Sequence, residues 1–161
     1  MTDRNRNRRD RGVNPALGVT LLIGITVGLA AVVAVGASSF VLADPVPTAA
    51  FDLEVDADRS EVVLEHVSGD PIDVEDLEVA VEIDGERLAR QPPVPYVGAS
   101  GFEDSPGGPF NPSGGTTWRA GERASFRLAS TNDPSLDPGD EVSVTLVVDG
   151  ATIATLEETA G

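Results

Sequence analysis

The sequence contains no cysteine and no lysine among its 161 residues. The absence of cysteine excludes disulfide bonds and thiolate metal ligands. Because lysine is absent, all 11 basic residues are arginine, and they stand against 27 acidic residues, which leaves a formal net charge of −16. A chain this acidic repels phosphate groups, so we expect no nucleic-acid partner.

The basic residues are unevenly distributed along the chain. Residues 1–12 contain five arginines and two acids, a net charge of +3, whereas residues 13–161 contain six arginines and 25 acids, a net charge of −19. Self-repulsion of this size destabilises a small fold at low ionic strength. At about 1 M salt the Debye length falls to about 3 Å and the repulsion fades. The composition therefore predicts adaptation to high salt.

Residues typical of catalytic and metal sites are also scarce. His66 is the only histidine, and the sequence has no G-x-S-x-G segment, phosphate-binding loop or metal-binding histidine pair. Two acidic groups offer the oxygen ligands that Ca²⁺ prefers, but neither follows the EF-hand pattern. They are Asp52, Glu54, Asp56 and Asp58 on a predicted strand face, and Asp133, Asp137 and Asp140 in a predicted loop. We expect solvated acidic surfaces, no cofactor, no enzymatic activity and a hydrogen-bonding role for His66.

The chain is organised around an uncharged run from Gly12 to Ala43. A bilayer span needs about 20 apolar residues, and a helix over residues 13–43 would be about 46 Å long, beyond a hydrocarbon core of about 30 Å. Asn14 is a suitable N-cap, and Pro15 suits the first helical turn. The sequence therefore predicts a transmembrane helix that also protrudes from the bilayer.

The five arginines before this helix predict its orientation. Positive residues mark the cytoplasmic side of a span, so the acidic remainder of the chain would lie outside. Three interpretations of the helix stay open: an export signal removed after Ala43, a plain single-span anchor, and a filament subunit whose helix packs against copies of itself. The run exceeds the about 7–15 apolar residues of a signal peptide, which disfavours the first interpretation.

Small residues recur along the predicted helix at spacings that suit close packing. Gly24 and Gly28 form a G-x-x-x-G motif, and Ala30 and Ala34 extend the series. Such spacing lets helix backbones approach closely. Glycine is, however, generally more frequent in membrane helices than in soluble ones, so the spacing alone does not establish self-association.

The segment DRGVNPALGV at residues 10–19, with the apolar residues 21–34 that follow, resembles the N-terminus of archaeal type IV pilins, especially those of haloarchaea. Those subunits have a short charged leader, a small residue and a Val-Ser-Pro-like start to a long apolar helix. The resemblance implies a processing site at Arg11, Gly12 and Val13, where a prepilin peptidase cuts between Gly12 and Val13 and leaves the helix in the mature protein.

The match has departures and a weaker second part. Asn14 stands where serine is commoner, and Leu17 takes the place of the glutamate of bacterial type IV pilins. Residues 66–71 and 118–122 also resemble recurrent pieces of haloarchaeal pilin-like heads. The resemblance further implies self-association through the helix, a pilus assembly ATPase and a membrane platform protein as partners, and a role in adhesion.

The region after residue 50 alternates apolar and polar residues with period two, which predicts an all-β sandwich of Ig-like type. Asp84-Gly85 and Asp149-Gly150 predict hairpins that place Val81 opposite Leu88 and Leu146 opposite Ile153. Residues 91–117 contain six prolines and six glycines. They predict a long surface loop that could carry a binding epitope. Three aromatic residues would pin this loop to the sandwich: Tyr96, Phe102 and Phe110.

Together these features predict an α+β chain with a charged leader at 1–12, an apolar helix at 13–43, a neck at 44–50 and a β-sandwich head at 51–161. We expect a structural subunit of an archaeal type IV pilus-like surface filament. Before assembly it would cross the cell membrane once, in contact with lipid, with its N-terminus in the cytoplasm and its head outside. The alternative is a single-span, membrane-anchored extracellular binding domain that does not polymerise.

Overall fold

The computed structural model describes residues 15–38 and 45–161. The chain divides at residue 44 into two compact units, the first with one helix and the second with all the described strands. The predicted leader, the processing residues Arg11, Gly12 and Val13, the Asn14 cap and the predicted helix end at residues 39–43 lie outside the described residues.

Helix α1 (Pro15–Ser38) has no charged residue. Its two threonines satisfy their hydroxyls within the helix: Thr20 Oγ1 donates to the Ala16 carbonyl and Thr26 Oγ1 to the Leu22 carbonyl, each at 2.8 Å. Residues Pro15–Ala34 are long and apolar enough to cross a membrane, and all of them are exposed. An apolar N-terminal helix is therefore confirmed, and either a membrane anchor or a signal sequence has this form.

The second unit contains ten strands among the described residues, seven of them six residues or longer. In chain order they are β1 (Ala49–Asp56), β2 (Glu61–Gly69), β3 (Ile72–Asp73), β4 (Leu77–Ile83), β5 (Glu86–Arg87), β6 (Phe102–Gly107), β7 (Thr117–Trp118), β8 (Arg123–Leu128), β9 (Glu141–Val148) and β10 (Ala151–Thr159). Two 3₁₀ turns, Gly108–Phe110 and Pro112–Gly114, lie between β6 and β7.

The strands form two four-stranded antiparallel sheets and one short ribbon. The sheets have the orders β1-β2-β8-β6 and β10-β9-β4-β5, and β3 pairs with β7. Alternate residues of both sheets point into one core, as the burial patterns of β8 in the first sheet and β9 in the second show. Its largest fully buried side chains are Trp118, Phe110 and Phe126. The prediction of an apolar helix followed by a β-sandwich is confirmed.

The two Asp-Gly hairpins form as predicted, with one error in register. Both turns have positive φ at the Asp and the Gly, which is the backbone a tight hairpin turn requires. Leu88 donates its N–H to the Val81 carbonyl at 3.1 Å, which confirms the first pairing. The second pairing was wrong, because a β-bulge in β10 places Ala154 rather than Ile153 opposite Leu146.

The Pro/Gly-rich segment 91–117 has more regular structure than its composition predicts. Strand β6 lies inside it and pairs with β8, with Phe102 opposite Leu128. Tyr96, Phe102 and Phe110 are all buried, as expected of residues that pin the segment to the sandwich. Alternation fails to identify β6 because the three residues between Glu103 and Gly107 are out of regular register with β8.

Candidate functional site

The predicted packing residues of α1 form two stripes. A helix turns about 100° per residue, so Gly24 and Gly28 share one face, and Ala30 and Ala34 share a second face about 120° away. The structure therefore separates into two surfaces what the sequence suggested as one series. A side-chain carbon added at Gly24 or Gly28 would meet nothing within 4 Å, so the first stripe is open.

The rest of the helix surface is apolar and exposed. Its large side chains expose from 52% of their area at Ile25 to 70% at Val32. Next to Gly24, the side chains of Leu17, Thr20 and Leu21 surround a shallow notch. A continuous apolar surface of this kind marks a membrane or protein interface, because soluble monomers rarely expose one. Leu17 is apolar, so this position of the helix offers no charge that could pair with a neighbouring chain.

In the head, the structure brings together two short pieces singled out in the sequence, residues 66–71 and 118–122. His66 donates its backbone N–H to the Glu122 carbonyl at 3.0 Å, and Gly121 donates its N–H to the His66 carbonyl at 2.6 Å. The Trp118 Nε1–H donates to the Glu122 carbonyl at 3.0 Å. Residues 66–71 and 118–122, which are far apart in sequence, therefore form one cluster at the end of β2.

The cluster is packed with aromatic rings. The Phe51 ring centroid lies 4.9 Å from those of both His66 and Trp118, and the Phe110 ring centroid lies 5.3 Å from that of Trp118. His66 is fully buried, and its Nδ1 lies 3.3 Å from the Trp118 carbonyl oxygen. This contact confirms the predicted hydrogen-bonding role. The Nε2 atom has no partner among the described residues.

Residues 45–48 of the predicted neck are hydrogen-bonded to the head beside this cluster. The Thr48 amide donates to Asp70 Oδ2 at 3.0 Å, and the Asp70 amide donates to the Thr48 carbonyl at 2.9 Å. Between them, Gly69 has a φ of 113°, and a Cβ there would overlap the Thr48 carbonyl oxygen. The residues Gly69-Asp70-Pro71 are typical of a turn, but nothing in their sequence indicates that the turn binds the neck.

The predicted acidic strand face is only partly formed. Asp52 and Glu54 lie on the outer face of β1, whereas β1 ends at Asp56 and Asp58 lies in the following turn. Asp52 and Glu54 border a cleft of about 450 Å³ between β1 and β10. Beside it, Arg123 pairs with Glu65 at 2.7 Å. Within residues 15–38 and 45–161, no group of three or more acidic or histidine side chains is placed to hold a metal ion.

The second acidic group stabilises its own loop. The Asp140 carboxylate accepts from the Asp137 amide at 2.8 Å, and the Ser135 hydroxyl donates to the Asp137 carboxylate at 3.3 Å. These acids therefore act as local hydrogen-bond acceptors within a turn region.

Among the described residues, one titratable side chain has a strongly perturbed pKa. Burial raises the pKa of the Tyr96 hydroxyl to about 12, because the apolar surroundings disfavour the phenolate. The hydroxyl has no hydrogen-bond partner among the described residues, and the ring packs 5.7 Å from that of Phe102. Tyr96 is thus a core residue of the 91–117 segment.

Comparison with known proteins adds one relative. An uncharacterized protein of Archaeoglobus fulgidus is 38% identical to this chain over 79 residues. The match covers 47% of this chain and 55% of that protein, so the chain spans about half the length of this relative. No protein-family model matches the sequence.

Proposed function

We propose that this chain is a structural subunit of an archaeal type IV pilus-like surface filament. A prepilin peptidase would remove residues 1–12, and the bilayer would hold the processed subunit with its head outside. An assembly ATPase and a membrane platform protein would then move the subunit from lipid into the filament. There, neighbouring helices replace lipid around the same apolar surface, which is the physical basis of the proposal.

The observation that carries this proposal is the exposed apolar surface of Pro15–Ala34 with its two stripes of small residues. A lone anchor needs only an apolar surface, and a dimer needs one close-packing face. Two faces about 120° apart suit a helix that is surrounded by several copies. The Gly24–Gly28 stripe and the Ala30–Ala34 stripe would each receive a neighbouring helix.

The head supports an extracellular role. Its surface is rich in acids, and its 24 acids and six arginines suit a salty exterior. The outer parts of residues 91–117 would display an epitope to other surfaces or cells, which gives the filament an adhesive role. The relative from an archaeon agrees with an archaeal source for such a filament.

The test is the composition of sheared surface filaments from cells that make the full chain. We expect the protein in the filament fraction, and we expect a Gly24→Leu/Gly28→Leu variant to remain in the membrane because leucine fills the close-packing face. Gly18→Leu is a matched control, since Gly18 is also open and lies about 100° from the first stripe and about 140° from the second.

The alternative function predicts a different distribution. If the unaltered protein stays in the membrane fraction while the cells make filaments, the chain is a single-span anchor for an extracellular binding domain. If Gly18→Leu and the double variant behave alike, the stripes have no special role in assembly.

A further inference from the structure

The outer edge of strand β4 is covered along only half of its length. Strand β5 pairs with β4 at Glu82 and Ile83. At the next position the Gln91 side chain takes the place of a strand, because its Oε1 accepts from the Val81 N–H at 2.7 Å and its Nε2 donates to the Val81 carbonyl at 2.9 Å. The cover ends there, which leaves residues 77–80 as an open edge.

The backbone of this open edge points outward at Leu77 and Val79. Val81 turns its N–H and C=O away from β9, and alternate residues of a strand turn the same way. Among residues 15–38 and 45–161, no backbone or side-chain group is hydrogen-bonded to the outward groups of Leu77 and Val79. These groups can therefore pair with an added segment.

A groove of about 480 Å³ runs beside the open edge. We name it the β4 groove, because residues 77–80 form one of its walls. The other wall is apolar and consists of Pro92, Pro93 and Val94. Four residues of extended chain span about 13 Å at about 3.3 Å per residue, so the groove suits a short extended segment. In binding of this kind, backbone hydrogen bonds give affinity and side-chain contacts give specificity.

The β4 groove is closed at one end. The Gln91 amide occupies the place beside Val81, and β5 occupies the place beside Glu82 and Ile83. A segment that pairs with residues 77–80 therefore cannot continue along β4 as a longer strand. Its chain has to end or turn away at the level of Val81, and the end of a polypeptide meets this condition most simply.

An arginine without an acidic partner lies at the closed end. Arg87 lines the groove and stands opposite Glu82 in the pairing of β4 with β5. Three other arginines of the head have a carboxylate within 4.0 Å: Arg59, Arg123 and Arg127. In the described part of the chain Arg87 has no such partner, although acids greatly outnumber arginines. Its guanidinium is thus available to a carboxylate that enters the groove.

The charges of the groove favour one end of a polypeptide and one direction. A segment that runs parallel to β4 ends at Val81, so its terminal carboxylate faces Arg87. An antiparallel segment would bring a positively charged N-terminus to Arg87. Glu78 lines the groove away from its closed end and disfavours an acidic side chain there. The charges therefore suit a C-terminal carboxylate better than an N-terminus or an acidic internal segment.

A second copy of this chain does not offer such an end. Gly161 donates its N–H to the Val55 carbonyl at 3.2 Å, and its own carbonyl accepts from the Ala57 N–H at 3.0 Å. Strand β10, which leads to Gly161, is paired with β9. These residues are held in their own head, so the occupant comes from a different protein.

We propose that the β4 groove binds the C-terminal end of a partner protein as a short parallel strand. The outward backbone groups of Leu77 and Val79 pair with the partner's backbone, and Arg87 binds its terminal carboxylate. The proposal goes beyond the filament, because the contact involves only head residues and its test does not depend on assembly.

The test compares two pools of labelled hexapeptides that are randomised in their last four positions. One pool has free C-terminal carboxylates, and the other has C-terminal amides. The full-length protein in detergent is immobilised, and the retained peptides are counted by mass spectrometry. We expect it to retain about tenfold more of the carboxylate pool, the effect of one charge-assisted hydrogen bond.

Two arginine variants identify the group that binds the carboxylate. Arg87→Ala should lower retention of the carboxylate pool about tenfold and leave the amide pool unchanged. Arg119→Ala is the matched control, because Arg119 is exposed, lies outside the groove and also has no carboxylate within 4.0 Å among the described residues. Equal retention of the two pools, or no retention of either, would overturn the proposal. Equal losses in the two variants would overturn the role of Arg87.

Amide hydrogen exchange in the presence of the most enriched peptide locates the contact. The Val79 N–H should exchange more slowly when the peptide is bound, whereas Thr155 on the opposite edge of the sheet should not change. Slowing at Thr155 in place of Val79 would overturn the assignment to the β4 groove. Slow exchange at Val79 without peptide, lost on dilution of the protein, would show that a second copy fills the groove and would overturn the choice of partner.

Discussion

Thr48 and Asp70 exchange two hydrogen bonds, at 3.0 Å and 2.9 Å, where the chain enters the β domain. The pair fastens the neck to the turn that follows β2. The turn in turn belongs to the buried cluster of His66 and Trp118, so the point of attachment is supported by the core.

Replacement of Asp70 by alanine should loosen the neck. The change removes a charged acceptor of the Thr48 amide, and we expect the free energy of unfolding to fall by about 1 kcal/mol. Amide hydrogen exchange should show faster exchange at Thr48, with little change in β9. Asp52→Ala, which alters an exposed acid of β1, is the control. Equal protection of Thr48 in Asp70→Ala and the unaltered protein would contradict the role of the pair.

Replacement of Trp118 by alanine should destabilise the head severely. Trp118 is fully buried and contacts the rings of Phe51 and Phe110, so the truncation leaves a large cavity. We expect a loss of about 4 kcal/mol in the free energy of unfolding, measured by circular dichroism in denaturant. Val97→Ala should change it by less than about 0.5 kcal/mol, since Val97 is 64% exposed. Similar midpoints for the two variants would show that the cluster is not the core.

Alkaline pH should lower the free energy of unfolding of the head through the ionisation of Tyr96. Its pKa is raised from 10.0 to about 12 by burial, so the unfolded chain loses this proton at lower pH than the folded chain. The stabilising effect is complete below pH 10 and is lost as the pH rises towards 12, by at most about 3 kcal/mol in all. Because the chain has one tyrosine and neither lysine nor cysteine, no other side chain should titrate in this window.

Tyr96→Phe is the control for this effect, and tyrosinate absorbance with the fluorescence of Trp118 is the measurement. The variant should keep its stability between pH 10 and 12. An unaltered protein whose Tyr96 titrates near pH 10 while folded would contradict the burial of its hydroxyl.

Added salt should stabilise the head. Its net charge of −18 is spread over the surface, and screening reduces the repulsion. Neutralising two acids of β1, in Asp52→Asn/Glu54→Gln, should raise the free energy of unfolding at low salt by on the order of 1 kcal/mol and have little effect at high salt. Denaturant unfolding over a range of NaCl concentrations measures this. If the gain in the free energy of unfolding did not depend on salt, the two substitutions would act through packing rather than charge.

Much of the fold could be predicted from the sequence because its signals are local. The helix lacks charge, and Phe51, Val62 and Val79 belong to strands whose alternation marks one buried face. The two Asp-Gly turns also carry their own geometry, which the positive φ angles confirm. In each case neighbouring residues are sufficient to determine the element.

The features that sequence analysis missed depend on contacts between distant residues. Nothing near Gln91 indicates that its amide completes the ladder of β4, and the partner of Asp70 lies 22 residues away. The bulge at Ile153 changes which face a residue occupies without changing the apolar pattern. Strand β6 was hidden because glycine and proline interrupt it, and its pairing with β8 provides what its own sequence does not.

The measurement that tests the central claim most directly is the N-terminal residue of the protein recovered from surface filaments, by intact mass and terminal sequencing. The account predicts that the mature chain begins at Val13, so that the whole apolar helix is retained and enters the filament. A chain that begins at Asp44 or beyond would have lost the helix, and it would contradict the account.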